Sequence, residues 1–164
     1  MKIAIYPGSF DPITLGHLNL IKRASVTFDR VIVCVMRNGG KRPLFTAEER
    51  MDQVKRVTAK FSNVEVDTYD GLIADYAREQ DAHVLIRGLR ALSDFEKECM
   101  MALVNKKLNP TLETLFLAAD EKYMYHSSSG AKELARFGAD LRQWCPWEII
   151  GELEDRIRVK NDET

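Results

Sequence analysis

The sequence predicts an α/β fold in which helices cover both faces of a five-stranded parallel sheet. Short apolar segments alternate with longer amphipathic ones along the chain, which is typical of successive β-α-β units. The segment Val31 to Val35 is nearly continuous in β-branched residues, which indicates a strand buried on both faces. Capping sequences such as Thr46-Ala47-Glu48-Glu49 mark where helices begin.

In the first half of the chain, each strand is followed by a helix. Ile3 to Tyr6 is a short apolar strand that Pro7-Gly8 closes. A helix from about Gly16 to Phe28 follows, because apolar residues recur near helical spacing at Leu18, Ile21, Ala24 and Phe28. After the buried strand, the capping box at 46–49 begins a helix that runs to about Lys60, and 64–68 alternates as a third strand.

The same order continues in the second half. Residues 71–80 are predicted as a helix and 84–86 as a buried strand. Ser93-Asp94-Phe95-Glu96 has the spacing of a second capping box and predicts a helix to about residue 108, before a fifth strand at 114–118. A helix over 127–137 ends before Gly138, and Pro146 is favoured as the first residue of a last helix, to about residue 158.

Length and charge limit the classes of protein that this chain can be. Its 164 residues predict a single domain over 1–164, with a C-terminal helical segment at about 140–160 packed on it. A net charge of −1 gives no global attraction to nucleic acid or to an anionic membrane, and the longest apolar runs are too short to span a bilayer. Three widely spaced cysteines without a C-x-x-C pair indicate neither a disulfide framework nor a zinc site, and they favour the cytoplasm.

Ligands of parallel sheets bind beyond the carboxyl ends of the strands, so the loops there are the first place to look. The loop from Pro7 to His17 has two glycines and ends at a helix N-terminus, where free N–H groups attract phosphate. His17 in the first turn can donate a hydrogen bond to a phosphate oxygen, and the Ser9 hydroxyl can hold a ligand. The alternative is a tight turn with an ordinary helix cap.

Three further loops offer groups that bind anions. Arg87 and Arg90 flank a glycine at the end of the fourth strand and can hold phosphate, or else they pair with acidic side chains of the next helix. The serines 127–129 begin a helix and offer hydroxyl and N–H groups, although one of them can be a plain N-cap. Lys41 can close over a phosphate from its loop, or it is a solvated loop lysine.

Two motifs near the N-terminus resemble a known superfamily. Gly8-x-Phe10-Asp11-Pro12, followed by Thr14-x-Gly16-His17, resembles the signature of the nucleotidyltransferases, which carry a T/H-x-G-H motif. The resemblance implies attack on the α-phosphate of a nucleotide with release of pyrophosphate, without a covalent enzyme intermediate. These motifs leave the second substrate open.

A larger set of motifs, from residue 5 to about 138, resembles the bacterial phosphopantetheine adenylyltransferases. The matching segments are Tyr6-Pro7-Gly8-Ser9-Phe10-Asp11-Pro12, Phe45-Thr46-x-Glu48-Glu49-Arg50, Leu85-Ile86-Arg87-Gly88-Leu89-Arg90, Asp94-Phe95-Glu96-x-Glu98 and the three serines. The resemblance implies a single-domain Rossmann-like fold and adenylyl transfer from ATP to 4′-phosphopantetheine, which gives dephospho-coenzyme A and pyrophosphate. It also implies Mg²⁺ carried with ATP, without a dedicated protein metal site, and a homohexamer.

The resemblance assigns roles by position. His17, Lys41 and Arg90 are the catalytic residues, and His17 stabilises the transition state at the ATP phosphates. The acceptor contacts Ser9, Lys41, Ile73 and Arg87. The ATP site consists of Ser9, Phe10, His17, Gly88, Leu89, Arg90, Glu98, Tyr123, Met124, Tyr125, His126, Ser127, Ser128 and Ser129.

His126 departs from the family pattern, which usually has Ile or Val before the serines. It changes the packing under the nucleotide loop or adds a polar contact. Two alternatives to the implied activity remain at this point. One is a small nucleotidyltransferase with a different phosphate acceptor, and the other is a nucleotide-binding module without turnover.

Overall fold

In the described part of the chain, five parallel strands form one sheet in the order β3-β2-β1-β4-β5. The computed structural model describes residues 1–37 and 42–162, with side chains as far as residue 159. The strands are β1 (Ile3–Gly8), β2 (Arg30–Met36), β3 (Val64–Tyr69), β4 (Val84–Leu89) and β5 (Glu113–Ala118). The predicted parallel α/β fold is confirmed.

Among the residues that the structure describes, six α-helices connect and follow these strands. They are α1 (Leu15–Thr27), α2 (Ala47–Thr58), α3 (Ile73–Glu79), α4 (Leu92–Leu108), α5 (Ser128–Arg136) and α6 (Trp147–Asp162). Thr46 caps α2 through the predicted capping box, in which the Glu49 side chain accepts from the Thr46 N–H. Gly138 follows α5 with a φ of 69°, a left-handed conformation that glycine adopts without strain.

Several helix starts differ from the sequence prediction: α3 begins at Ile73 rather than at residue 71, and α5 begins at Ser128 rather than at residue 127. The second predicted capping box is wrong, because α4 already begins at Leu92 and Ser93 lies inside its first turn. The Asp94 carboxylate accepts instead from the backbone N–H and the guanidinium of Arg90. The last helix starts at Trp147, one residue after Pro146, and it extends to Asp162 rather than to about 158.

The sheet has a separate apolar core on each face. Along β1, Ala4 and Tyr6 belong to one core, whereas Ile3 and Ile5 belong to the other. The first core also receives side chains from α1, α2, α5 and α6, and the second is closed by α3. Ile149 and Leu153 of α6 are fully buried in the first core, so α6 packs in the same core as the sheet. That residues 1–164 form a single domain stays a prediction.

A crevice lies beyond the carboxyl ends of the central strands. Strand β1 lies between β2 and β4, where the order of connections reverses, and such a switch point leaves a crevice beyond the strand ends. The register pairs β1 with β4 at Ala4–Val84 and Ile5–Leu85, before the ends of both strands. Within the described ranges, no helix is long and apolar enough to cross a membrane.

Candidate active site

A polar cavity occupies the crevice beyond β1 and β4. The loop after β1, the end of β4, the first turn of α1 and the segment before α5 all contribute to it. The predicted site residues that line it are Ser9, Phe10, His17, Arg87, Gly88, Arg90, Glu98, Tyr123, His126, Ser127 and Ser128. Three chain segments that the sequence placed separately therefore converge on one cavity, which is called the phosphate cavity below.

His17 is fixed by the residue that caps its helix. The Thr14 hydroxyl accepts from the His17 backbone N–H, and the Thr14 backbone N–H donates to His17 Nδ1 over 3.0 Å. An imidazole nitrogen that accepts a hydrogen bond has no proton, so the proton of the neutral ring is on Nε2. The ring also contacts the edge of Phe10, with ring centroids 5.1 Å apart. His17 is thus a single hydrogen-bond donor of fixed orientation.

The surroundings of His17 keep its ring neutral. Burial and the positive charges of Arg90 and Arg87 together lower the pKa of His17 from 6.5 to about 4. At neutral pH the ring can therefore donate from Nε2 without bringing a charge of its own. Tyr6 lines the same cavity, and burial raises the pKa of its phenol, so its hydroxyl stays protonated as well.

The loop after β1 has a rigid frame. The Asp11 carboxylate is buried and accepts from the backbone N–H groups of Leu44 and Phe45, each at 2.9 Å. Lys132 of α5 reaches the same carboxylate at 3.2 Å. The guanidinium of Arg50 donates to the Ser9 carbonyl over 2.6 Å. These contacts fix the loop to α2 and α5, so that Ser9 and Phe10 keep their places at the cavity.

Both arginines at the end of β4 have carboxylate partners. Arg87 forms a two-pronged ion pair with Glu98 at 2.6 Å and also donates to the Pro7 carbonyl at 2.7 Å. Arg90 pairs with Asp94 at 3.2 Å and donates to the His126 carbonyl. The pairing with acidic side chains of the next helix is therefore observed, and the paired guanidinium groups also line the cavity, whereas their contact with phosphate stays a prediction. A bound phosphate has to share or replace the carboxylate contacts.

The serines before α5 have different tasks. The Ser127 hydroxyl accepts from the Gly130 N–H and caps the helix, and the Ser128 hydroxyl donates to the Pro12 carbonyl at 2.7 Å. Ser127 and Ser128 line the phosphate cavity, whereas Ser129 is exposed and does not. The N-terminus of α5 therefore borders the cavity, a position that favours a bound anion.

A second, less polar cavity adjoins the first. It is called the acceptor groove below, and Pro7, Gly8, Ser9, Arg87 and Glu98 line both cavities. Its remaining walls come from β2, the start of α3 and one side of α4, and they consist mainly of Met36, Leu72, Ile73, Met101, Val104 and Leu108. Ile73 thus lies in the groove, where the acceptor was expected.

Some predicted residues are outside the described part of the chain, and some described ones line neither cavity. Lys41 is outside the residues that the structure describes. Leu89, Met124 and Tyr125 line neither the phosphate cavity nor the acceptor groove. Within the described ranges, no group of three or more His, Cys, Asp or Glu side chains lies close enough together to hold a metal ion.

The sequence prediction left out three residues that shape the site. Tyr6 and Asp94 line the phosphate cavity, and Thr14 determines which nitrogen of His17 has the proton. The position of Thr14 three residues before His17 is a signal, because an N-cap residue faces the third helical residue. Tyr6 and Asp94 both lie in segments that carry the family resemblance, which was their signal, although no role was assigned to either.

Comparison with known proteins identifies relatives over the whole chain. Residues 5–134 match the model of the family described as "Cytidylyltransferase-like". A phosphopantetheine adenylyltransferase of Clostridium botulinum is 50% identical over 162 residues, which cover 99% of each chain. The enzyme of the same name from Caldanaerobacter subterraneus subsp. tengcongensis is 53% identical over 158 residues, with 96% of this chain and 99% of that one covered.

Solved structures of more distant proteins share the fold. A putative nicotinate-nucleotide adenylyltransferase from Vibrio parahaemolyticus superimposes with a TM-score of 0.64 at 18% identity, over 95% of this chain and 96% of that one. The Plasmodium falciparum nicotinic acid mononucleotide adenylyltransferase, complexed with APC, gives a TM-score of 0.64 at 17% identity, over 98% and 96%. At this identity the likeness concerns the fold alone.

The protonation of His17 can be measured directly. We expect an NMR titration of the imidazole to give a pKa of about 4 for His17, because burial and two arginines disfavour its charged form. Between pH 6.5 and about 4 the unfolded chain binds a proton at this residue and the folded chain does not. The contribution of His17 to the free energy of unfolding therefore decreases as the pH falls through that range. The signal is assigned with His17→Gln, and a pKa of 6.5 or higher would contradict the proposed environment.

Proposed function

The chain belongs to the phosphopantetheine adenylyltransferase family, and from this membership we infer that it transfers the adenylyl group of ATP to 4′-phosphopantetheine. The products are dephospho-coenzyme A and pyrophosphate, and the reaction is a step of coenzyme A synthesis. The observation that supports this activity best is the junction between the phosphate cavity and the acceptor groove. Ser9, Arg87 and Glu98 border both, so two phosphate-bearing substrates can meet there.

The acceptor phosphate attacks the α-phosphorus of ATP in line with the bond to the leaving pyrophosphate. A phosphate monoester has its second pKa at about 6, so the nucleophile is already ionised at neutral pH and needs no strong base. His17 Nδ1 is engaged by the Thr14 N–H, which leaves Nε2–H as the donor towards an oxygen of the reacting phosphates. Catalysis then consists of orientation and electrostatic stabilisation.

We propose a division of the cationic groups between the two substrates. Arg90 contacts the ATP phosphates together with His17, and Arg87 contacts the acceptor phosphate at the junction of the two cavities. The N–H groups that begin α5 add further donors on the nucleotide side. The other predicted ATP contacts, and Lys41 on the acceptor phosphate, stay predictions. The pantetheine arm lies along Ile73 and the apolar wall of α4.

Mg²⁺ enters this proposal as an ion held by the triphosphate oxygens. The carboxylates nearest the cavity, Asp94 and Glu98, each have an arginine partner, which fits an ion carried mainly by the substrate. When bound, Mg²⁺ lowers the negative charge of the triphosphate.

The location of the enzyme in the cytoplasm stays a prediction.

We further propose that the chain assembles as the predicted homohexamer. Helix α4 has 17 residues and buries none of them, although several are large and apolar. Met100 and Leu103 are more than 60% exposed, and Leu115 on the neighbouring edge strand is 46% exposed. An apolar surface of this kind is typical of an interface between subunits. We expect the faces of α4 and β5 to be buried between copies.

Turnover tests the proposed activity. We expect the purified chain to release pyrophosphate from ATP when 4′-phosphopantetheine is present, and not when nicotinamide mononucleotide, glycerol phosphate or riboflavin phosphate replaces it. Binding of ATP, seen as a rise in Tm, without pyrophosphate release would indicate a binding module instead.

In the same assay we expect His17→Ala to lower kcat by about 10²- to 10³-fold, because it removes a preorganised donor. A near-normal kcat in that variant would exclude the role given to His17.

The oligomer is tested by light scattering coupled to size-exclusion chromatography. We expect six chain masses for the unmodified protein and a smaller species for Leu103→Glu, because a carboxylate buried at an apolar interface is costly. Val26→Glu is the matched control, since Val26 on α1 is 84% exposed and lies outside the proposed interface. A monomeric unmodified protein, or an intact hexamer with Leu103→Glu, would contradict the proposal.

A further inference from the structure

His126 lies where several parts of the site meet. Its ring is between the rings of Tyr123 and Trp144, with centroid distances of 5.1 and 4.8 Å. Its Nε2 is 2.6 Å from the backbone carbonyl of Gln143. Because a carbonyl only accepts, Nε2 has the proton and donates it to Gln143. The segment before α5 is thereby joined to the segment before α6.

The same residue contacts both sides of the phosphate cavity. Its backbone carbonyl accepts from Arg90 Nη1 at 3.2 Å. Its Cβ is close to the backbone of Gly16, since a Cβ added at Gly16 would be only 3.2 Å away. The backbone carbonyl of Trp144 in turn accepts from the Leu15 N–H at 2.9 Å, at the first turn of α1. Arg90 and the turn that holds His17 are therefore linked through His126 and Trp144.

The chemistry of the ring indicates which contact matters. Nδ1 is buried and has no hydrogen-bond partner among the described residues, so the polar contact of this side chain is the bond from Nε2 to Gln143. Gln143 is exposed, and water can replace a lost partner at its carbonyl. The bond therefore adds little to the overall stability of the fold. Its main effect is to fix where His126 lies relative to Arg90 and α1.

We propose that His126 is a positioning residue for the nucleotide. Through the bond to Gln143 it fixes the separation between Arg90 and the first turn of α1, the two elements that flank the ATP phosphates. This inference rests on the proposed adenylyl transfer, which places ATP in the phosphate cavity. Ile73 and the acceptor groove take no part in the contacts of His126. The effect is therefore specific to ATP.

Three variants and one control test this role. His126→Ile removes the ring and the donor. His126→Phe keeps a ring between Tyr123 and Trp144 and removes the donor. His126→Gln keeps a donor that can reach the Gln143 carbonyl. His83→Gln is the control. His83 comes just before the amino-terminal end of β4, whereas the cavities lie at the carboxyl ends of the strands, and it lines neither cavity.

We expect KM for ATP to rise about tenfold in His126→Ile and His126→Phe, since a misplaced donor set weakens the contacts to the phosphates. KM for 4′-phosphopantetheine should stay within about twofold, and His126→Gln should restore most of the ATP affinity. Tm should change little in all variants. If His126→Ile fails to fold, His126→Phe still tests the loss of the donor with a ring in place. If His126→Phe fails to fold, the comparison of His126→Ile with His126→Gln still shows whether a donor at this position restores the ATP affinity.

The inference is overturned if KM for ATP is unchanged in the folded Ile or Phe variant, if both KM values rise equally, or if His126→Gln fails to restore affinity. The dissociation constant of ATP, measured by calorimetry without acceptor, gives the same comparison without turnover. Absence of turnover in the unmodified protein would therefore contradict the adenylyl transfer, while the calorimetric comparison still decides the role of His126.

Discussion

Electrostatic repulsion between two phosphates is the constraint on which this site depends. The reaction brings a dianionic nucleophile to a triphosphate, although the chain as a whole has a net charge of −1. The positive charge is therefore local: Arg87 and Arg90 are both at the end of β4, beside the N-termini of α1 and α5. In the free site these guanidinium groups are balanced by Glu98 and Asp94. That balance keeps the cations in place before the substrates arrive.

His17 fits this arrangement because it is neutral. Burial, together with the charges of Arg90 and Arg87, lowers the pKa of the imidazole to about 4, and Thr14 fixes the tautomer. A third cation in the free site would be repelled by the two arginines, whereas a neutral donor is not. The positive surroundings proposed to hold the substrates thus also help to keep His17 neutral, while Thr14 determines which ring nitrogen donates. No covalent bond to the protein is needed, because the acceptor phosphate is itself the nucleophile.

The sequence predicts the sheet well and the site in part. The strands β1 and β2 are buried on both faces, so their apolar runs identify them directly, and the rule for strand ends then identifies the loops. The false capping box at Ser93 shows the limit of local patterns, since Ser93 lies inside the first turn of α4 and Asp94 accepts from Arg90, just before the helix cap. The pair Arg87–Glu98 joins β4 to α4, and only the packing of that helix brings the two side chains together. The pKa of His17 depends on the same packing.

Direct transfer between two bound substrates is the central claim, and the stereochemistry at phosphorus tests it most directly. ATP made chiral at the α-phosphorus with sulfur and an oxygen isotope can be turned over with 4′-phosphopantetheine, and the configuration of the product determined. A single in-line displacement at the junction of the two cavities predicts inversion of configuration. Retention would require two successive displacements through a covalent adenylyl-enzyme, and it would contradict the mechanism.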